Sequence, residues 1–182
     1  MIASQDVEDA ASESVLYTRG IGSEVWRDGE AGEHVALIDS DESDALSIHT
    51  LAESMDGYVA VFESSPGSYH LWSLTPRSLT DVVMDSLSLR AADAEHVAQS
   101  RRRESFVVRC APKVREDGTE YKPAPSHVAT YDDGTGAVAR GHHSVAQSLG
   151  ADDVESHRLA GDERITTHSY MTVTDEAKEA LR

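Results

Sequence analysis

The stretch Tyr58-Val59-Ala60-Val61-Phe62-Glu63, then Ser64-Ser65-Pro66-Gly67-Ser68, then Tyr69-His70-Leu71-Trp72-Ser73-Leu74 leaves the chain little choice of local structure. Two β-branched and aromatic runs flank a cluster of small residues with Pro and Gly, the composition of two strands joined by a tight turn. The spacing predicts an antiparallel hairpin. On its second strand Ser68, His70 and Trp72 fall on one face, because successive side chains of a strand alternate.

The remaining apolar segments are short and alternate between the two periodicities. Residues 14–18 and 24–27, on either side of Gly20-Ile21-Gly22, read as strands, and 34–38 as a buried strand ending at Asp39. Ser43 or Asp44 is placed to cap a helix carrying Leu46, Leu51 and Met55 on one stripe, with Gly57 as its stop. Residues 78–89 and 93–103 have helical spacing, the first with Leu79, Val82, Val83 and Leu87 in phase. Strands are expected at 106–110 and 127–131, a hairpin-like turn at Glu116-Asp117-Gly118-Thr119, and a short helix at 143–149. The pattern predicts the α/β (α+β) class, a two-layer domain with helices packed on one face of a sheet. A chain of 182 residues fits one core. The expected organisation is a flexible acidic N-terminus over 1–13, a core domain over 14–150, and an acidic C-terminal extension over 151–182 that ends in a short helix.

Charge limits the choice of partners. The chain carries 33 acidic and 16 basic residues, a formal net charge of -17, and its only lysines are Lys113, Lys122 and Lys178. The acids are spread along the whole length and 39% of residues are hydrophobic, so this is a folded acidic surface and not a disordered tail. Such a surface resembles those of proteins from halophilic archaea, which implies a high-salt cytoplasm. At molar salt the Debye length is about 3 Å, so whole-molecule repulsion is screened and only the placement of the few cations matters for an anionic partner. Cys110 is the single cysteine, which excludes an internal disulfide framework and a cysteine-rich zinc site. No apolar run approaches the ~20 residues of a membrane span, and the first residues lack the pattern of a secretory signal, so a cytoplasmic location with no membrane partner is expected.

Three groups of residues carry candidate chemistry. In Leu37-Ile38-Asp39-Ser40-Asp41 two acids one residue apart close an apolar strand, so both carboxylates can address one hard cation such as Mg²⁺ or Mn²⁺. The same spacing also arises as a solvated turn in a chain this acidic. In the hairpin, a small-residue turn admits a phosphate and His70 can hydrogen-bond it, although a half-buried His and a core Trp would look the same. Finally, Arg101-Arg102-Arg103, Arg109, Lys113 and Arg115 place about a third of the 16 basic residues within fifteen positions. That is a local anion site or, for the arginine run, a helix end favoured by the macrodipole.

Together these residues resemble the archaeo-eukaryotic primase (primase-polymerase) superfamily, plasmid and virus replication type. Leu37 to Asp41 matches its strand ending in Asp-x-Asp, and Ser68-Tyr69-His70 its small-x-His strand. The stretch from Glu63 to Trp72 is similar to the Thr-Ser-Pro-Gly-x-Tyr/Phe-x-x-Trp segment of the plasmid relatives, and Arg109 to Lys113 to their Arg-x-Pro-Gly-x-x-Asn-x-Lys stretch, without its Gly and Asn. The resemblance implies a mixed, RRM-like sheet and metal-dependent nucleotidyl transfer in DNA replication, by a DNA primase or polymerase. It implies Asp39, Asp41 and Asp132 as metal-binding and catalytic acids, with Asp133 and Glu104 as weaker candidates for the third. Ser68, His70, Trp72, Arg101, Arg102, Arg103, Arg109 and Lys113 would bind nucleotide or nucleic acid. The implied partners are nucleoside triphosphates, a single-stranded or primed DNA template, and a helicase or replication partner on a separate chain.

Rival readings remain open on the sequence. The same fold can serve as a non-catalytic nucleotide- or nucleic-acid-binding module, with Trp72 or Tyr69 for stacking. A regulatory or assembly protein of a plasmid or virus is another. A rolling-circle nicking protein would use a His pair and a Tyr nucleophile, for which His142-His143 and Tyr170 supply the residue types.

Overall fold

A computed structural model describes residues 15–41, 45–88, 94–174 and 176–177. Among them the chain forms, in order, β1 (Val15–Gly22), β2 (Glu24–Arg27), β3 (Glu30–Ser40), α1 (Ala45–Glu53), β4 (Tyr58–Ser65), β5 (Ser68–Arg77), α2 (Leu79–Ser88), α3 (Ala94–Arg103), β6 (Val107–Arg109), β7 (Lys113–Val114), β8 (Glu120–Lys122), β9 (Ser126–Asp132), β10 (Val138–Ala139), α4 (Arg140–Ser148), a 3₁₀ turn (Ser156–Arg158), β11 (Leu159–Ala160) and β12 (Thr167–Val173). The α+β class expected from the sequence is the class observed. No helix among the described residues is long and apolar enough to cross a membrane.

One sheet has the order β2-β3-β5-β4-β9, and a second has β12-β1-β7-β8 with β6 also pairing to β1. Every pairing in both is antiparallel, and the parallel component expected of a mixed sheet is confined to β10 and β11. Local chemistry accounts for the joints. Asp28 and Gly29, with φ of 50° and 88°, make the two-residue turn between β2 and β3, where the Asp-Gly pair tolerates left-handed backbone. Gly20 is required where β6 crosses β1, because a Cβ there would lie 2.7 Å from the Val108 carbonyl oxygen.

The core sits on the first sheet. Val35–Ile38, Tyr58–Phe62 and Tyr69–Leu74 are buried without a break, so both faces of the central strands are covered. Trp72 is fully buried and its ring packs on Phe62 with centroids 4.5 Å apart. That is where the Trp expected to bind nucleotide or nucleic acid has gone. Burying a side chain of this size stabilises the fold by about 3 kcal/mol, and the indole has no open face for a base.

Other expectations need correcting. The buried stripe of α1 is Ile48 and Ala52 with Leu51 and Met55 beside it, whereas Leu46 is 76% exposed. Leu87 of α2 is likewise exposed. The described part of the segment 151–182 is no appendage: β12 pairs with β1 over its whole length, from Val15 opposite Val173 to Ile21 opposite Thr167, and β11 pairs with β10. The expected N-terminus over 1–13, the caps Ser43 and Asp44, and most of the last helix lie outside the described residues.

Candidate active-site cleft

The register of the first sheet brings the sequence motifs together. Asp39 lies directly opposite His70 on β5, and His70 directly opposite Phe62 on β4. Imidazole Nε2 is 3.4 Å from Asp39 Oδ1. Asp41 follows the last residue of β3. Facing this edge are β6, β7, β8 and β12 of the second sheet, and between them lies a cavity of about 470 Å³. Asp39, Asp41, Ser64, Ser65, Ser68 and His70 line one side, and Arg109, Lys113, Lys122, Tyr170 and Thr172 the other. Six of the predicted site residues therefore share one wall-to-wall site.

His70 is neutral here. Burial, reinforced by the nearby Arg109 charge, holds its pKa down to about 3, so the contact with Asp39 is a carboxylate facing an uncharged ring. A carboxylate oxygen can only accept, which assigns the ring proton to Nε2 and leaves Nδ1 buried without a partner among the described residues. Because the unfolded chain takes up this proton near pH 6.5 and the folded one only near 3, stability rises with pH across that window and is lost as pH falls through it. Urea titrations of the parent and His70→Gln at pH 4, 5, 6 and 7 should show a shallower acid limb in the variant; parallel limbs would place the His70 proton elsewhere.

Arg109 has a different role from the one expected. It is only 6% exposed, and its guanidinium donates from Nη1 to the carbonyls of Ala111 (2.9 Å) and Pro123, and from Nη2 to that of Ser64 (2.7 Å). Those three carbonyls belong to the β6–β7 connection, the segment after β8 and the end of β4. Arg109 is thus a positioning residue that ties the rim of the cavity together, and burial lowers its pKa from the ordinary arginine value. The other cations on the cavity wall are Lys113 and Lys122. They are direct cross-strand neighbours in the β7–β8 ladder. Lys122 was not singled out from the sequence, although the turn at 116–119 carried the signal: folding it back sets Lys113 against Lys122.

Asp132 is not the third acid. It pairs with Tyr58, four residues along β4 from the level of His70, about 13 Å away at strand rise. Arg158 holds it there through two hydrogen bonds of 2.7 and 2.9 Å, which lower its pKa. Asp133 caps the same loop through Thr135. Arg101 and Arg102 are exposed at the end of α3 and line neither this cavity nor its neighbour; Arg103 borders the neighbour. His142 and His143 sit on α4, buried against the Gly22 and Asp152 carbonyls, and neither lines this cavity or its neighbour, which Tyr170 borders. The paired histidines of the nicking hypothesis are packing residues.

Among the described residues no group of three or more His, Cys, Asp or Glu side chains is arranged to hold a metal ion by itself. Two carboxylates fit Mg²⁺ or Mn²⁺ only in the manner of substrate-assisted sites, where phosphate oxygens and water complete the shell. Comparison with known proteins gives no match to a family model, a curated protein or a solved structure.

Proposed function

We propose that the cleft binds a nucleoside triphosphate as its divalent-cation complex and transfers the nucleotidyl group to a hydroxyl, the chemistry of the primase-polymerase class. The observation that carries this reading is the placement of two of the chain's three lysines side by side, across one cavity from a carboxylate pair. In a molecule with a net charge of -17, cations gathered on one wall and acids on the other make a site for a ligand that is itself an anion with a bound cation.

Lys113 and Lys122 hold the outer phosphates, and Ser64, Ser65 and Ser68 present small polar side chains beside them. Asp39 and Asp41 would hold the cation, which would supply charge stabilisation to the attacking and leaving oxygens. The Nε2–H of neutral His70 orients the Asp39 carboxylate without cancelling its charge. The hydroxyl oxygen forms the new bond to the α-phosphorus, the bond to the β-phosphate bridge breaks, pyrophosphate leaves, and the hydroxyl proton passes to solvent.

Calorimetric titration of ATP with Mn²⁺ and with EDTA tests the site. The parent should bind about tenfold more tightly with the metal, and the double variant Asp39→Asn, Asp41→Asn should lose that increment. Binding that ignores metal in both proteins rejects the reading. A second reading, nucleotide binding without transfer, draws support from Asp39 and Asp41 being the two acids that line this cavity among the described residues. Labelled nucleotide with a primed template and Mn²⁺ separates the two: extension by the parent supports transfer, and retention without extension supports the binding module.

A further inference from the structure

We propose that the outer edge of β12 is a dimerisation edge, at which a second copy of this chain adds its own β12 antiparallel and joins the two second sheets into one. The inference stands apart from the nucleotide reading and does not depend on it. β12 ends its sheet, and no strand among the described residues pairs with its outer side. The Gly22 N–H donates to the Thr166 carbonyl at 2.8 Å, and on the opposite side of β1 the Cys110 N–H donates to the Arg19 carbonyl at 3.0 Å. With the β1–β12 register, these two bonds fix which way each residue of β12 turns its backbone groups. His168, Tyr170 and Thr172 turn theirs to β1, whereas Thr167, Ser169, Met171 and Val173 turn theirs outward.

Folded proteins protect such edges with charge or proline. The other outer strands here follow that rule: β2 carries Glu24 and Arg27, β8 carries Glu120 and Lys122, and β9 carries Asp132. β12 has no acid, lysine, arginine or proline, in a chain where 27% of residues are charged. Exposed apolar side chains gather at the same place, with Met171 68% exposed and Tyr17 opposite it on β1 and Tyr170 next to it also exposed. In a molecule with a net charge of -17, an uncharged edge is where an equally acidic partner can approach.

The strand is self-complementary, and this selects its own copy as the occupant. A two-fold axis through Tyr170 sets Thr167 opposite Val173, His168 opposite Thr172 and Ser169 opposite Met171 of the second copy, so the whole strand is paired. The outward-turned residues then meet as hydrogen-bonded pairs, and Tyr170 meets Tyr170 as a non-hydrogen-bonded pair, where side chains stand closest. Met171 of the second copy falls in the cross-strand row of Ser169 and Arg19, at a groove of about 520 Å³ that Tyr17, Ala111, Pro112 and Val114 also line. One copy thus carries both the projecting side chain and the groove for it, related as an isologous interface requires. Tyr170 also borders the cleft, so the axis brings two clefts onto one face of the joined sheet.

Sedimentation velocity of the full chain from about 1 to about 100 µM, in about 2 M KCl to screen the repulsion between copies, tests the edge. The parent should pass from monomer to dimer across that range. Met171→Lys changes an exposed side chain and places an ammonium on the edge, so it should weaken association at least about tenfold with an unchanged circular dichroism spectrum. The register is read separately, in a Cys110→Ser background that removes the native thiol. There Tyr170→Cys should form an intermolecular disulfide with oxidised glutathione, because non-hydrogen-bonded partners stand about 4.5 Å apart at Cα, within disulfide range. Thr167→Cys, set opposite Val173 and far from its own counterpart, should not. A parent that stays monomeric at the highest concentration, a dimer that Met171→Lys leaves intact, or a disulfide that forms equally from Thr167→Cys would each overturn the proposal.

Discussion

Replacing Lys113 and Lys122 together by alanine is expected to weaken triphosphate binding by about a thousandfold, since each contact of an ammonium with phosphate contributes about 2 kcal/mol. The effect on folding should be far smaller, within about 1 kcal/mol of the parent, because the pair stands on a short ladder where like-charge opposition and the lysines' own contacts act in opposite directions. A large loss of affinity with little change in stability is the diagnostic. Calorimetry with ATP gives the affinity and urea unfolding gives the stability. An affinity within threefold of the parent would remove the lysine pair from the site. A loss of several kcal/mol of stability would show that the lysines hold the ladder together and are not ligand contacts alone.

The parts of the site that were legible in the sequence are those fixed by strand alternation. Asp39 closes an apolar strand and His70 stands on the inner face of a hairpin strand, so a correct pairing of β3 with β5 was enough to set them opposite each other. The hairpin itself was readable because its turn residues and β-branched flanks agree. Asp132 failed for a reason of register. The resemblance implies it as the third acid, but β9 runs antiparallel to β4, and that direction carries its last residue to Tyr58 at the far end of the sheet. Strand direction is a tertiary fact that local composition does not contain. Arg109 failed for a reason of burial, because an arginine near a turn reads as a surface cation until three carbonyls are seen converging on it. β12 was missed because Thr167-His168-Ser169-Tyr170-Met171-Thr172-Val173 lacks a continuous apolar face. Its order comes from the β1 ladder, and with it come Tyr170 and Thr172, which complete the cleft.

Arg109→Ala should be the most destabilising single change at the cleft. It leaves the carbonyls of Ser64, Ala111 and Pro123 without their guanidinium donor and opens a void where a long side chain was packed, at a cost of about 4 kcal/mol. Arg109→Lys keeps the charge but not the planar fork, and one ammonium cannot reach carbonyls from three segments in the same geometry, so it should recover less than half of the loss. The two variants should also divide over His70. The Arg109 charge is second only to burial among the causes that hold the His70 pKa near 3, so the alanine variant should titrate His70 at a higher pH, and the lysine variant should stay closer to the parent. Urea unfolding reads the first effect, and the pH dependence of the His70 ring resonances reads the second. Full stability in the alanine variant would mean that the three segments hold their places without the guanidinium. The ordered rim of the cleft, on which the positions of Lys113 and Lys122 depend, would then need another cause.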